Sequence, residues 1–164
     1  MTTLEEKSIA YLTSQYAKPG KVCWIGIRPE READLKEQKS VNAIAKKYLE
    51  GDHYKSLGGK RQVTLIQKEH LEAVASIMGV ESIDPGLTRR NLVIEGINLI
   101  ALKKKQFRVG TAVLEYTGEC HPCSRMEKNL GKGGYNAMRG HGGITAQVMS
   151  EGSISIGDSV GVIS

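Results

Sequence analysis

The run NLVIEGINLIALKKKQFRVGTAVLEYTGECHPC, residues 91–123, decides the fold. Its apolar residues come in short bursts at 92–95, 97–102, 107–109 and 112–117, separated by glycines, a lysine cluster and other turn-forming residues. Bursts this short suit strands, because a helix needs about ten residues or more to bury a face. Two more follow downstream, at 144–149 and 159–163. Short strands spaced this closely point to a barrel or a sandwich.

Upstream the pattern is mixed. Thr2 and Thr3 each precede a glutamate (Glu5, Glu6) by three residues, the capping-box spacing of a short opening helix, and Lys18-Pro19-Gly20 ends it. Residues 22–27 read as a strand. Ser40 is placed to cap a second helix, in which Val41, Ile44, Ala45, Tyr48 and Leu49 share one face and Gly51 is the stop. Gly58-Gly59 leads into a β-rich run at 62–66. Leu71, Val74, Ala75 and Met78 then repeat at helical spacing before Gly79, and Asp84-Pro85-Gly86 signals a turn. Residues 118–143 interrupt the strand series and read as one long loop. It carries Cys120, Cys123, two of the four histidines and six glycines after Leu130. A loop this long inside a compact domain is usually functional.

At 164 residues the chain fits a single domain, with residues 1–20 as an N-terminal helical extension. Its 40% hydrophobic and 25% charged content allows a packed core, and with only one Trp and one Phe that core must rest on Ile, Leu and Val. The formal net charge of +5 suggests an anionic partner. Nucleic acid fits poorly, since the aromatic platforms on which bases stack are missing. Lys103-Lys104-Lys105 is the longest basic run and reads as a solvated turn. A phosphorylated small molecule suits the charge equally well. The N-terminus lacks the basic start and apolar stretch of a signal peptide, and no apolar run reaches membrane-spanning length. An odd cysteine count of three argues against a disulfide scaffold. The expectation is a cytoplasmic protein with no membrane partner.

Three segments can carry chemistry. Cys120-His121-Pro122-Cys123 has a bland reading, two small residues buried at a turn. A structural zinc site normally needs four ligands, and here there is one pair plus Cys23 in an apolar strand. A thioredoxin-like pair would need a surrounding βαβ unit. A single reactive thiolate at Cys123 is the better functional reading. A short helix over 124–130 would stabilise it through its first amides, with positive potential from Arg125 and His121. Such a thiolate can ligate a soft metal or carry a persulfide sulfur. The second segment, GKGGYNAMRGHGG at 131–143, is no P-loop. It reads either as a mobile surface loop or as backbone brought close to an anion beside Arg139 and His141. The third is Thr88-Arg89-Arg90-Asn91, whose arginines are either solvated or forked onto a phosphate or a planar heterocycle. Arg28, Lys60 and Arg61 are further basic residues beside strands, and Asp52-His53 follows the stop at Gly51.

These pieces occur in one order: WIGIRPER (24–31), EGDH (50–53), GGKRQVTLIQKEHL (58–71), DPGLTRRNLVIEGINLIAL (84–102), FRVGTAVLEYTGECHPCSRME (107–127), GGYNAMRGHGGITAQV (133–148) and GSISIGD (152–158). That series resembles a stand-alone bacterial MOSC domain, the C-terminal domain type of molybdenum-cofactor sulfurases, from about residue 21 to the end of the chain. The resemblance implies a mostly β fold, a distorted β-barrel with a few peripheral α-helices. It implies a pterin-based molybdenum cofactor whose metal is held by one cysteine, at the position of Cys123. It places Arg28, His53, Arg61, Arg89 and Arg90 at the cofactor's terminal phosphate, with Asn91 near the pterin. His53 stands where the family often carries Arg, and imidazole is largely neutral near pH 7. Pyridoxal phosphate is also associated with the family, but that chemistry belongs to a separate domain of the larger sulfurases, and no lysine site for it stands out here.

Two functions follow from the resemblance. One is molybdenum-dependent reduction of N-hydroxylated small molecules, such as hydroxylaminopurines or amidoximes. The chain has no flavin or iron–sulfur segment, so this requires a separate electron-donor protein. The alternative is a sulfur carrier or sulfurtransferase module, with Cys123 taking a persulfide from a cysteine desulfurase. A nucleic-acid or protein interaction domain ranks last, since it leaves the cysteine–glycine segment without a purpose.

Overall fold

The computed structural model describes residues 8–53 and 58–163. The capping-box threonines lie outside them. The first described helix, α1 (Ile9–Thr13), is capped instead by Ser8, whose hydroxyl accepts from the Tyr11 amide at 3.0 Å.

Seven strands close a barrel. They are β1 (Gly20–Ile27), β5 (Val63–Gln67), β6 (Leu92–Glu95), β7 (Gln106–Val109), β8 (Ala112–Glu119), β9 (Ile144–Ser150) and β11 (Ser159–Val162), in the spatial order β11-β7-β8-β9-β5-β6-β1. Antiparallel pairing of β1 with β11, Gly20 opposite Val160 and Lys21 opposite Ser159, completes the ring. A short strand, β2 (Lys36–Gln38), pairs on the open side of β1. The fold is thus mostly β, as the short apolar bursts predict. No helix among the described residues is long and apolar enough to cross a membrane.

One pair breaks the antiparallel rule. β5 and β6 run parallel, joined by helix α2 (Lys68–Met78), because a parallel connection needs a crossover long enough to return the chain. Both strands are therefore covered on both faces. Leu65, Leu92 and Ile94 point into the barrel with Phe107 and Leu114. Ile66 and Val93 point outward, under Leu71 and Val74 of α2 and Met126, Ala137 and Met138 of the helices described next. Two-sided burial explains why these strands read as unbroken apolar runs. Gly79 ends α2 in the left-handed conformation (φ 71°), as its place after Met78 predicts.

Three expectations fail. Residues 40–51 are not a helix but a hairpin, β3 (Ser40–Ile44) and β4 (Tyr48–Leu49), turned at Lys46 with φ 60°. Val41 and Ala43 are buried while Asn42 is exposed, and this alternation overrides the helical spacing because β10 (Gly152–Ser155) pairs with β3 from Ser40 to Ala43. Residues 97–102 are not a strand. Asn98 caps a 3₁₀ turn at Leu99–Leu102, and the Gln67 side chain accepts from the Leu99 amide at 2.8 Å. The 118–143 segment is not one loop either. It holds helices α3 (Ser124–Leu130), foreseen, and α4 (Gly134–Met138), not foreseen. The Glu127 carboxylate of α3 accepts from the Gly133 and Tyr135 amides at 3.0 Å each and so caps α4. Those two bonds hold its carboxyl below the usual range.

Candidate functional site

The CHPC run follows the end of β8 as irregular chain, outside any helix, strand or turn, and α3 begins directly after Cys123. The surroundings of its two cysteines differ. Cys120 is buried, its amide donates to the Gly143 carbonyl at 2.8 Å, and Arg61 brings a guanidinium nitrogen to 3.9 Å from its sulfur. Cys123 is exposed and free at the N-cap of α3, in extended conformation. Among the described residues no group of three or more His, Cys, Asp and Glu is placed to hold a metal ion, so a zinc centre has no ligand set there.

The first turn of α3 carries Arg125 to a cavity of about 240 Å³, which it lines with Arg28, Glu30, Arg31, Glu32, His53 and Arg89. Arg28 sits just past the end of β1. Buried Asp52 holds it twice, accepting from the Arg28 amide at 2.7 Å and pairing with its guanidinium at 3.4 Å. The His53 amide donates to the Arg28 carbonyl at 2.6 Å, so the Asp-His dipeptide clamps this strand end from both sides. Arg28 Nε is left buried and without a partner. Arg89 follows the 3₁₀ turn Pro85–Thr88 in a left-handed conformation (φ 62°) and donates to the Ala33 carbonyl. Burial lowers its pKa, and the neighbouring charges of Arg125 and Arg28 lower it further. A cavity with several guanidinium groups held this close favours an anion.

Arg90 and Asn91 occupy different ground. Arg90 is 5% exposed. Its guanidinium donates to the carbonyls of Gly142 (2.8 Å), Thr88 (2.8 Å), Cys120 (3.1 Å) and His121 (3.4 Å). It thereby ties the start of β6 to the cysteine segment and to the glycine segment before β9. Burial lowers its pKa, against the opposing influence of Cys120 and Cys123. Asn91 is fully buried: its side-chain oxygen accepts from the Thr64 amide and hydroxyl at 3.1 Å each, and its nitrogen donates to the Gly26 carbonyl at 3.1 Å. Most of the donors that the sequence offered to a ligand here are engaged within the fold.

The glycine-rich segment also serves the fold. A Cβ on Gly142 would stand 2.0 Å from the Cys120 carbonyl oxygen, and one on Gly143 1.9 Å from that of Leu65. These two glycines let other segments of the protein's own backbone approach. Arg139, exposed at the end of α4, is not among the residues lining the arginine cavity. His141 donates through Nδ1 to the Ala137 carbonyl at 2.9 Å and meets the ring of His70 on α2 edge to face, centroids 5.1 Å apart. Sequence reasoning passed over His70, and it used Arg125 only as a source of potential near Cys123 and left Asp52 without a role. Arg125 had a legible signal, its place in the first turn after Cys123. Asp52 and His70 had none, since their partners lie far away in sequence.

His70 makes stability depend on pH. Burial lowers its pKa, as does His141, with Glu69 acting the other way, and its Nδ1 is buried without a partner. Below the unfolded histidine pKa of about 6.5 the unfolded chain binds the proton more readily, so this stability is present above that pH and lost as pH falls. The urea midpoint should drop between about pH 7.5 and 5.5, and His70→Gln should flatten the drop. An identical pH profile in the variant would show that other groups carry it.

A closed mixed barrel with an exposed thiol next to an arginine-lined cavity defines a small barrel protein suited to an anionic ligand. The chain belongs to the MOSC family, whose domain model matches residues 52–161, roughly two thirds of it. A comparison with curated proteins found no match. Among solved structures, the YUAD protein of Bacillus subtilis superposes with a TM-score of 0.76 at 21% identity, over 88% of this chain and 96% of that one. YiiM of Geobacillus stearothermophilus gives 0.71 at 16% identity, over 89% and 76%. YiiM of Escherichia coli gives 0.66 at 17% identity, over 88% and 70%. At these identities the likeness shows the shared fold.

Proposed function

We propose that the protein binds a molybdenum cofactor and reduces N-hydroxylated small molecules, with electrons from a separate donor protein. The observation that carries this is the pairing of one exposed, uncommitted thiol, Cys123, with an arginine cavity reached along the same helix through Arg125. The MOSC family is associated with this cofactor, and the residues suit it. A thiolate is a soft ligand of the kind such a metal takes. Arg28, Arg89 and Arg125, with one Arg28 nitrogen still unpartnered, suit a terminal phosphate.

Cys123 would hold the metal, and Arg28, Arg89, Arg125 and His53 the phosphate end. The cofactor would supply two-electron oxygen removal. The protein's own residues bind and orient. Asp52 fixes Arg28, and Arg90 keeps the cysteine segment against β6. The overall change is R–NHOH plus two electrons and two protons, giving R–NH₂ and water. A cofactor-loaded sample given an artificial electron donor should reduce a hydroxylaminopurine or an amidoxime. No turnover by protein shown to contain the metal would overturn the reductase reading and leave cofactor binding standing.

A further inference from the structure

The arginine cavity is lined by carboxylates of its own, Glu30 and Glu32. Residues 29–35 connect β1 to β2 and bring Glu30, Arg31 and Glu32 to its lining, held by the Arg89 bond to the Ala33 carbonyl and by the Ala33 amide donating to the Glu30 backbone carbonyl at 3.2 Å. Glu32, one residue before Ala33, takes a left-handed conformation (φ 65°) that L side chains rarely adopt. Its carboxylate stands 4.0 Å from the Arg125 guanidinium. The contact is loose: the Glu32 side chain is 70% exposed and that of Arg125 38%. Of the cavity arginines held in an ion pair, Arg28 is fixed by buried Asp52, whereas Arg125 meets the loose and exchangeable Glu32.

We propose that Glu32 is an internal competitor for the anion of this cavity, and that Arg125 is the residue for which the two contend. This rests on the reading of the cavity as an anion cradle. Four arginines and two glutamates line it, and Asp52 neutralises Arg28 from behind. The balance is one positive charge with Glu32 on Arg125, and two with Glu32 displaced. A phosphate monoester dianion matches the second state, whereas a monoanion such as acetate or chloride matches the first. Glu32 therefore sets a threshold that selects for doubly charged groups, because only they recover the pair that is broken. Arg125 would then bind ligand directly, two residues from Cys123.

The test is calorimetric titration of purified, cofactor-free protein with inorganic phosphate at pH 8, where the ion is largely dianionic. Glu32→Gln should bind about one-and-a-half- to fivefold more tightly than wild type, the range expected for loss of one exposed ion pair. Arg125→Gln should bind more weakly, and in the double variant the Glu32→Gln gain should vanish. Glu30→Gln makes the same charge change in the same cavity without the Arg125 contact, so its gain should be smaller and should survive Arg125→Gln. Phosphate bound equally by wild type and Glu32→Gln, or a Glu32→Gln gain that persists without Arg125, overturns the competitor and leaves the cradle intact. No phosphate binding by any variant, wild type included, removes the cradle and this inference with it.

Discussion

Cys123→Ser, produced beside wild type in cells with abundant cofactor, should lose its molybdenum. Wild type should carry close to one metal per chain, and the variant should fall by about tenfold or more, the scale set by removing a metal-holding contact. Cys123 is the exposed cysteine, whereas Cys120 is 3% exposed and lies against Arg61. Cys120→Ser is thus the matched control and should keep its metal. Elemental analysis of the three proteins decides the matter. Metal retained by Cys123→Ser would show that the ligand lies elsewhere. Absence from every protein, with cofactor demonstrably available, would turn the reading to a sulfur carrier. Mass spectrometry after incubation with a cysteine desulfurase should then find one added sulfur on Cys123.

Replacing Arg90 should cost stability rather than binding. Arg90→Leu strips donors from up to four backbone carbonyls, three of them on the segments that carry the cysteines and the glycines. Leaving buried acceptors unpaired costs about 1–3 kcal/mol each, so a total of at least about 3 kcal/mol is expected. Arg90→Lys should recover less than half, since one ammonium cannot reach carbonyls that a planar fork spans. Urea denaturation measures both. If Arg90 instead served the ligand, its replacement would leave the unfolding midpoint almost unchanged and lower cofactor retention.

Much of this was legible in the chain. The strands showed because apolar bursts bounded by turn residues leave few other options, and α2 showed because Leu71, Val74 and Ala75 face the barrel at helical spacing. Residues 40–51 misled because their apolar spacing suits either period, and only the distant β10 decides between them. The same limit applied to the site. Arg28, His53 and Arg89 were picked out from motif positions, and all three line one cavity. Arg90 and Asn91 stand beside Arg89 in sequence, yet they face the interior. No local pattern distinguishes an arginine that lines a cavity from one buried among four carbonyls. Two of the glycines were equally hard to read. A glycine marks a close approach without naming what approaches, and at Gly142 and Gly143 it is the protein's own backbone.

The seam between β1 and β11 also bears on folding. Residues 20–21 find their partners at 159–160, far away along the chain. Before β11 docks, the incomplete ring has two bare rims, along β7 and the first half of β1, each offering unpaired amides and carbonyls to any passing strand. Closure across so long a span of chain is slow compared with helix or hairpin formation. A barrel with this seam undone is an open, adhesive sheet. The strand β11 acts as a zip, and its docking separates a sticky intermediate from a sealed barrel.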